Sequence, residues 1–222
     1  MSSHQFPDRR EAGRELARRV SQLPLRAPVI VLALPRGGVP VGYEVARALR
    51  APLDVLVVRK IGMPGQPELA IGAIASGNIV VRDPRAGIVG RPDTQTFAAL
   101  AEREQEELLR RERSYRGGAP PLKLNGMTAV LVDDGLATGA TMLAALRSAR
   151  QAGASSVIVA APVASDEASA LVGAEADALV LLEIPPELHS IGEWYGDFAQ
   201  LGDAEVCMLL SKAKSCSSAT PV

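Results

Sequence analysis

Unbroken apolar runs and amphipathic segments follow one another near the start of the chain. The runs Val29 to Leu34 and Val55 to Val58 flank a segment with an apolar residue at every fourth position, namely Val41, Val45 and Leu49. Apolar runs without polar alternation are typical of strands buried on both faces of a sheet. The pattern therefore predicts a strand, a helix and a second strand, which together form a βαβ unit.

The same succession returns in the second half of the chain. Three further strands are predicted, at 128–132, 157–161 and 178–182. The helices between them begin near Thr141 and after Ser165, and a last helix is predicted at about 203–212. Strands that alternate with helices favour a parallel sheet with right-handed crossovers. We therefore expect an α/β fold with a Rossmann-like parallel sheet flanked by helices.

A first helix is predicted before these strands. Asp8 can cap it, and Ala12, Leu16 and Val20 recur every four residues. Four arginines lie on its other faces: Arg9, Arg10, Arg14 and Arg18. We interpret them as a solvated face, and an anion site is the alternative.

The middle of the chain is less regular. Residues 61–90 are rich in Gly and Pro and predict a loop, with a hairpin at most, from the apolar pieces 70–75 and 79–81. A long charged helix is predicted from Asp93 or Thr94 to about Tyr115. Residues 1–222 are therefore taken as one domain with an inserted loop and long helix at about 82–125.

Composition restricts the possible partners. The 222 residues are 47% hydrophobic and 22% charged, which is enough apolar material for a sizeable core. The net charge of −1 provides no global positive field for nucleic acid or acidic lipid. No apolar run approaches the roughly 18 residues of a membrane span, and the late pair Cys207 and Cys216 does not resemble a disulfide framework. We expect a cytoplasmic protein with no membrane or nucleic-acid partner.

The most informative segment joins a strand to a helix through two acids and a turn of small residues. Residues 130–141 read Val-Leu-Val-Asp-Asp-Gly-Leu-Ala-Thr-Gly-Ala-Thr. Ligands of open α/β sheets bind at the carboxyl ends of strands, and the N–H groups of a helix N-terminus bind anions. The turn can therefore hold a phosphate. Two adjacent carboxylates need hydroxyl donors or a divalent cation, which a sugar diol with Mg²⁺ nearby would supply.

Residues 130–141 resemble the phosphoribosyl pyrophosphate (PRPP) signature of the type I phosphoribosyltransferases. In that family the two acids hold the ribose hydroxyls and the turn binds the 5′-phosphate. The resemblance assigns Asp133 and Asp134 to the ribose and to the neighbourhood of the metal. It assigns the phosphate to the turn residues Ala137, Thr138, Gly139, Ala140 and Thr141. Gly135 stands where many members have an aliphatic residue.

Two other segments agree with the resemblance. Arg36, Gly37 and Gly38 follow the first strand, where the family has its pyrophosphate loop, and a plain glycine turn is the alternative. Arg59 and Lys60 follow the second strand and resemble the basic residues that meet pyrophosphate in adenine-type members. Solvated cations are the alternative for this pair.

The resemblance implies a magnesium-dependent enzyme of nucleobase salvage that transfers the phosphoribosyl group of PRPP to a nitrogenous base and releases pyrophosphate. Positive charge builds on the ribose ring in such a transfer, as it does in glycoside cleavage. Five residues are expected to take part in catalysis: Asp133, Asp134, Arg36, Lys60 and Glu68. Glu68 would transfer a proton from within a mobile cover at 61–90, and a solvated loop acid is its alternative.

The acceptor base stays open. The 6-oxopurine members carry an acid where this chain has Ala137, so hypoxanthine and guanine are disfavoured. A hood at about 184–202 is expected to cover the acceptor, and His189 could contact it. The aromatic side chains of the hood either stack on a base or only pack the lobe; they are Trp194, Tyr195 and Phe198.

Two other function classes remain. A non-catalytic PRPP-sensing regulator would keep the ligand loop, but such a protein should carry a basic face or a DNA-binding helix pair, and the sequence has neither. A phosphohydrolase of a phosphorylated sugar would use the same loop without an acceptor. We favour the transferase, and we expect a homodimer.

Overall fold

The computed structural model describes residues 6–77, 79–82 and 92–217, with the side chains of 67–70, 216 and 217 excepted. In chain order the elements are α1 (Arg9–Val20), β1 (Val29–Ala33), α2 (Gly38–Leu49), β2 (Leu53–Val55), β3 (Val58–Met63), β4 (Gln66–Ala75), β5 (Ile79–Arg82), α3 (Thr94–Arg116), β6 (Thr128–Val132), α4 (Ala140–Gln151), β7 (Ser156–Val163), α5 (Asp166–Gly173), β8 (Ala178–Glu183) and α6 (Asp203–Ser217). A short 3-10 helix spans Gly192–Trp194.

The main sheet has five parallel strands in the order β2-β1-β6-β7-β8. It confirms the predicted α/β class. In the register of β1 and β6, Ala33 pairs with Val132, so these neighbouring strands end side by side. The loops that follow them begin at the same point of the sheet edge, which brings together the two segments with the strongest functional pattern.

Helices cover both faces of this sheet. Side chains such as Val31 and Val130 point to one face and pack with α1, α2 and α6. Their neighbours Leu32 and Leu131 point to the other face and pack with α4 and α5. Successive residues of a strand alternate between faces, so a fully apolar strand is what a sheet covered on both sides requires.

A second, antiparallel sheet, β3-β4-β5, confirms the hairpin predicted from the apolar pieces 70–75 and 79–81, which lie in the paired strands β4 and β5, and corrects the prediction of a loop for the residues before them. The predicted loop is strand as far as Arg82, and residues 83–91 lie outside the described part. The sheet packs on α3 through Ile61, Ile71 and Phe97. A Cβ at Gly72 would lie 2.8 Å from the Phe97 ring, so this glycine serves close packing of the sheet on α3, not a loop.

The apolar run Val55 to Val58 is divided between the two sheets, so its prediction as one strand is wrong. β2 ends at Val55, and the N–H of Leu56 still donates to the Ala33 carbonyl of the main sheet at 3.0 Å. The carbonyl of Val57 accepts instead from Ser76 at 2.9 Å. The run is buried throughout because the chain passes between two sheets here, without continuing either one.

Side-chain caps confirm where three predicted helices begin. Asp8 accepts hydrogen bonds from two N–H groups of α1, Asp93 accepts from Thr96 in α3, and Ser165 accepts from Ala168 in α5. The last helix, α6, is longer than predicted. In the part of the chain that the structure describes, no helix has the length and apolar character needed to span a membrane.

The start of the described chain pairs with the segment before α6. The N–H of Phe6 donates to the Trp194 carbonyl at 3.0 Å, and Gly196 donates back to Phe6 at 2.8 Å. We call this joined unit, residues 6–8 with 184–202, the hood. It lies next to the loops that follow β1 and β6, as the contacts below describe.

Candidate active site

The loop after β1 packs directly against the two acids after β6. A Cβ at Gly37 would lie 1.9 Å from Oδ2 of Asp134, and a Cβ at Gly38 would lie 2.5 Å from the carbonyl oxygen of Val132. Neither position has room for a larger residue without movement of its neighbour. The loop of Arg36, which precedes these glycines, therefore lies at the same edge of the sheet as the acid pair.

The two acids have different surroundings. Asp133 accepts a hydrogen bond from the N–H of Asp134 at 2.9 Å. Desolvation, and then the neighbouring Asp134 charge, raise the pKa of Asp133 well above its usual range. Asp134 lies in an ion pair, because its Oδ2 accepts from Nε of Arg9 at 2.8 Å, and both side chains are about nine-tenths buried, with 15% and 11% exposed.

Arg9 corrects the interpretation of the first helix as a solvated face. Its guanidinium lies 3.7 Å from the ring centre of Phe198 and donates to the Ala199 carbonyl at 3.0 Å. Arg10 and Arg14, although partly exposed, reach the buried carboxylate of Glu44 at 3.4 and 3.7 Å. Three of the four predicted surface arginines therefore pair with acids across α1 and its neighbours, and only Arg18 fits the prediction of a simply exposed side chain.

The turn after the acids leads into α4, and its backbone packs against the start of α5. Ser165 donates to the carbonyl of Ala137 at 2.6 Å, and a Cβ at Gly139, whose φ is +72°, would lie 3.2 Å from Cα of Ala168. Among the described residues, α4 has no good side-chain cap: the N–H of Ala140 lies 3.5 Å from the Thr138 hydroxyl. The first N–H groups of α4 are thus available to an anion.

Arg59 and Lys60 are neighbours in β3, so their side chains point to opposite faces of the small sheet. Arg59 is bound to Glu104 of α3 through contacts of 2.6 and 2.9 Å, whereas Lys60 is exposed. A cavity of about 670 Å³ is lined by β3, α3 and Thr141 of α4. The cavity thus extends from β3 to the start of α4, and the charge of Arg59 is already paired with that of Glu104.

Asp203 of α6 contacts the candidate pyrophosphate loop and is itself held by Tyr115 of α3. Asp203, the first residue of α6, has an oxygen 3.9 Å from Nη1 of Arg36 and accepts from the Tyr115 hydroxyl at 2.6 Å. Burial, and then this hydrogen bond, raise the pKa of Tyr115 to about 12. Glu68, the proposed proton-transfer group, has a side chain outside the described residues, so its role stays a prediction.

The aromatic side chains of the hood pack on one another. Tyr195 is 2% exposed, its ring is stacked on Phe198 at 5.0 Å, and its hydroxyl donates to the backbone carbonyl of Asp134. Burial raises the pKa of Tyr195. Packing is therefore the interpretation that Tyr195 supports, while His189 is an exposed side chain.

The departure at Gly135 has a steric counterpart in the hood. A Cβ at this position would lie 2.5 Å from two side-chain carbons of Ile191. The volume that an aliphatic residue would fill in the motif is taken by a side chain from elsewhere in the chain. Gly135 is therefore compatible with the local packing of a phosphate-binding segment.

The acid pair suits a metal that the ligand itself helps to hold. The described residues contain no group of three or more His, Cys, Asp or Glu side chains that could bind a metal ion alone. Mg²⁺ in phosphate sites commonly takes one or two protein carboxylates and completes its shell with phosphate oxygens and water. Asp133 and Asp134 fit that donor set.

Comparison with known proteins identifies the family. Residues 4–195 match the model of the phosphoribosyl transferase domain. The chain belongs to this family. The crystal structure of TT1426 from Thermus thermophilus is similar to this domain, with a TM-score of 0.82 and 43% identity, covering 94% of this chain and 98% of that one.

The Mycobacterium tuberculosis protein "Putative phosphoribosyl transferase Rv0571c" is 45% identical to this domain over 208 residues, which are 94% of this chain and 47% of that protein. A second strain of the same organism gives the same match. The chain thus spans about half the length of the curated relatives it matches. The recognition of the phosphoribosyltransferase family from residues 130–141 is confirmed.

Sequence reasoning missed three contacts of this phosphoribosyl transferase domain. Arg9, Tyr195 and Ile191 all touch the segment from Asp134 to Gly135 from at least 56 positions away in the chain. Arg9 is one of several arginines on its helix, and nothing in the helical pattern distinguishes it. Only the folded chain selects it.

Proposed function

We propose that the protein transfers the 5-phosphoribosyl group of PRPP to a nitrogenous base and releases pyrophosphate, with Mg²⁺ bound alongside the substrate. The observation that carries this proposal is the direct packing of the Gly37-Gly38 loop on Asp133 and Asp134, beside the uncapped start of α4. This arrangement offers two sites that can bind anions and, between them, two carboxylates that can accept hydrogen bonds from hydroxyl groups.

Each part of PRPP has a matching partner in this proposal. The 5′-phosphate binds the N–H groups at the start of α4 together with the hydroxyls of Thr138 and Thr141. The carboxylates of Asp133 and Asp134 accept hydrogen bonds from the ribose hydroxyls. The diphosphate binds the N–H groups of the Arg36 loop. Asp133 and Asp134 would hold Mg²⁺, which would neutralise the charge of the diphosphate.

The reaction moves charge from the ribose to the leaving group. The bond between C1 of the ribose and pyrophosphate breaks with both electrons leaving on the phosphate oxygen, and a nitrogen of the base donates a pair to C1. The two carboxylates stabilise the cationic ring, while Arg36 and Lys60 stabilise the departing anion. Arg59 can join them only by leaving Glu104, and Glu68 is proposed to take the proton that the base loses.

Incubation with PRPP and Mg²⁺ against a panel of bases, with pyrophosphate release as readout, tests this function. The double variant Asp133→Asn with Asp134→Asn should lose both PRPP binding and turnover. Normal turnover in that variant would refute the site. Binding of PRPP without turnover on any base would instead indicate the regulator, and water-dependent release without a base would indicate the hydrolase. Homodimerisation and a cytoplasmic location stay predictions.

A further inference from the structure

We propose that Arg9 is a positioning residue for PRPP: it holds the carboxylate of Asp134 in the orientation that the ribose requires and connects that acid to the hood. The inference rests on the proposed function, because it concerns the ribose subsite of that reaction. It adds a residue from α1, which lies 125 positions before Asp134 in the chain.

Three separate contacts fix the Arg9 guanidinium. Nε donates to Asp134, Nη1 donates to the carbonyl of Ala199, and the planar group lies over the ring of Phe198. Asp8, the preceding residue, caps α1 and so fixes the backbone from which Arg9 extends. A guanidinium held at several points loses little further freedom when it orients a carboxylate.

Two of these three contacts do not involve the acid. Ala199 and Phe198 belong to the hood, so Arg9 keeps its place when Asp134 takes a new hydrogen-bond partner. Arg9 is bonded to Oδ2 of Asp134 through one nitrogen and not to Oδ1. This geometry distinguishes a positioning residue from a blocking contact, because ligand and arginine can share the carboxylate.

Arg9 also supplies the counter-charge that the acid pair needs. Asp133 and Asp134 are adjacent, and like charges at this distance disfavour each other's ionised form. The cation on Asp134 offsets that repulsion within a desolvated site. Without this contact, the side chain of Asp134 can turn away from Asp133, which removes an acceptor from the ribose.

The hood reaches Asp134 at two atoms. Tyr195 donates to its backbone carbonyl, and Arg9 donates to its side chain, while the rings of Tyr195 and Phe198 are stacked beneath the guanidinium. The position of the hood and the orientation of one ribose-binding acid are therefore coupled through these two hydrogen bonds. Arg36 and Gly38, on the pyrophosphate side, have no such link to Arg9 among the described contacts.

Calorimetric titration of the whole chain with PRPP and, separately, with pyrophosphate, both with Mg²⁺, tests this assignment. Arg9→Gln should weaken PRPP binding by about tenfold or more, whereas pyrophosphate, which has no ribose, should lose clearly less affinity than PRPP. Arg9→Lys keeps the positive charge without the planar guanidinium. Its affinity for PRPP should lie between those of wild type and Arg9→Gln. Arg18→Gln, an exposed arginine of the same helix, is the matched control.

Each outcome decides the assignment. PRPP affinity in Arg9→Gln equal to that in Arg18→Gln overturns it, and so does an equal loss for PRPP and pyrophosphate, which would mean a general structural role. If Arg9→Gln does not fold, Arg9→Lys carries the same comparison of the two ligands. A wild-type protein that does not bind PRPP at all overturns the proposed function and the inference with it.

Discussion

Replacement of Gly38 by alanine tests the contact between the two loops that define the site. The added methyl would lie 2.5 Å from the Val132 carbonyl oxygen and 2.9 Å from Cα of Asp133. Both are backbone atoms, and the Val132 carbonyl already accepts a hydrogen bond from Leu34 at 2.8 Å. Relief of the overlap therefore requires the start of α2 and the end of β6 to separate by about half an ångström or more.

The size of the effect follows from that displacement. Overpacking of this kind costs about 1–3 kcal/mol, and the smaller conformational freedom of alanine in the unfolded chain returns up to about 1 kcal/mol. In a chain of this size, a net loss of about 1–2 kcal/mol lowers the unfolding temperature by roughly 2–8 °C. The functional loss should be larger, because a misplacement approaching 1 Å can cost about a hundredfold in rate.

Thermal unfolding and kcat/KM for PRPP measure the two consequences in the same variant. We expect kcat/KM to fall by about tenfold to a hundredfold. Gly173→Ala is the matched control, since it is also a glycine of a helix and its added methyl meets only the side chain of Leu179, at 3.4 Å. A Gly38→Ala protein with the unfolding temperature and PRPP kinetics of the control would refute the packing of the glycine loop on the acids.

Two further predictions concern the acid pair. Because desolvation raises the pKa of Asp133, the folded state loses stability relative to the unfolded chain as pH rises above the usual carboxyl range, so Asp133→Asn should raise the unfolding temperature at pH 7–8. The gain should shrink as pH falls towards 4 in thermal unfolding scans, and a lower unfolding temperature throughout would contradict the cause given. Tyr195→Phe removes the donor to the Asp134 carbonyl, so it should lower the unfolding temperature by roughly 2–12 °C, as a loss of about 1–3 kcal/mol does in a chain of this size. Its PRPP affinity should fall less than that of Arg9→Gln, with Tyr43→Phe as the control, and an unchanged unfolding temperature would count against the hydrogen bond.

The parts of the fold that follow local rules were predictable from sequence. The strands β1, β6 and β7 are continuous apolar runs because both faces of the main sheet are covered, and Asp8 and Ser165 begin helices because their side chains accept from free N–H groups. The small sheet was not predictable in this way. Its strands contain Gly72 and alternate polar residues, and what makes them strands is packing on Phe97 of a helix later in the chain.

The candidate site likewise has one part that local sequence indicates and another that depends on contacts between distant residues. Residues 130–141 carry their pattern in one contiguous segment, so their order alone indicated an anion turn beside two acids. The pairing of Arg59 with Glu104 and of Arg9 with Asp134 depends on distances across the fold, and charge spacing along a helix contains no information about either. Long-range ion pairs are therefore the main feature of the candidate site that the sequence does not predict.

The shared space of Gly135 and Ile191 has an evolutionary consequence. Because the two positions fill one volume, a relative that gains a branched side chain in the acid-bearing motif must lose bulk from its hood or tilt that lobe outward. The two positions should drift together across descendants of this sequence, one shrinking as the other grows. Such paired exchange would change how closely the hood lies on the segment that follows the two acids.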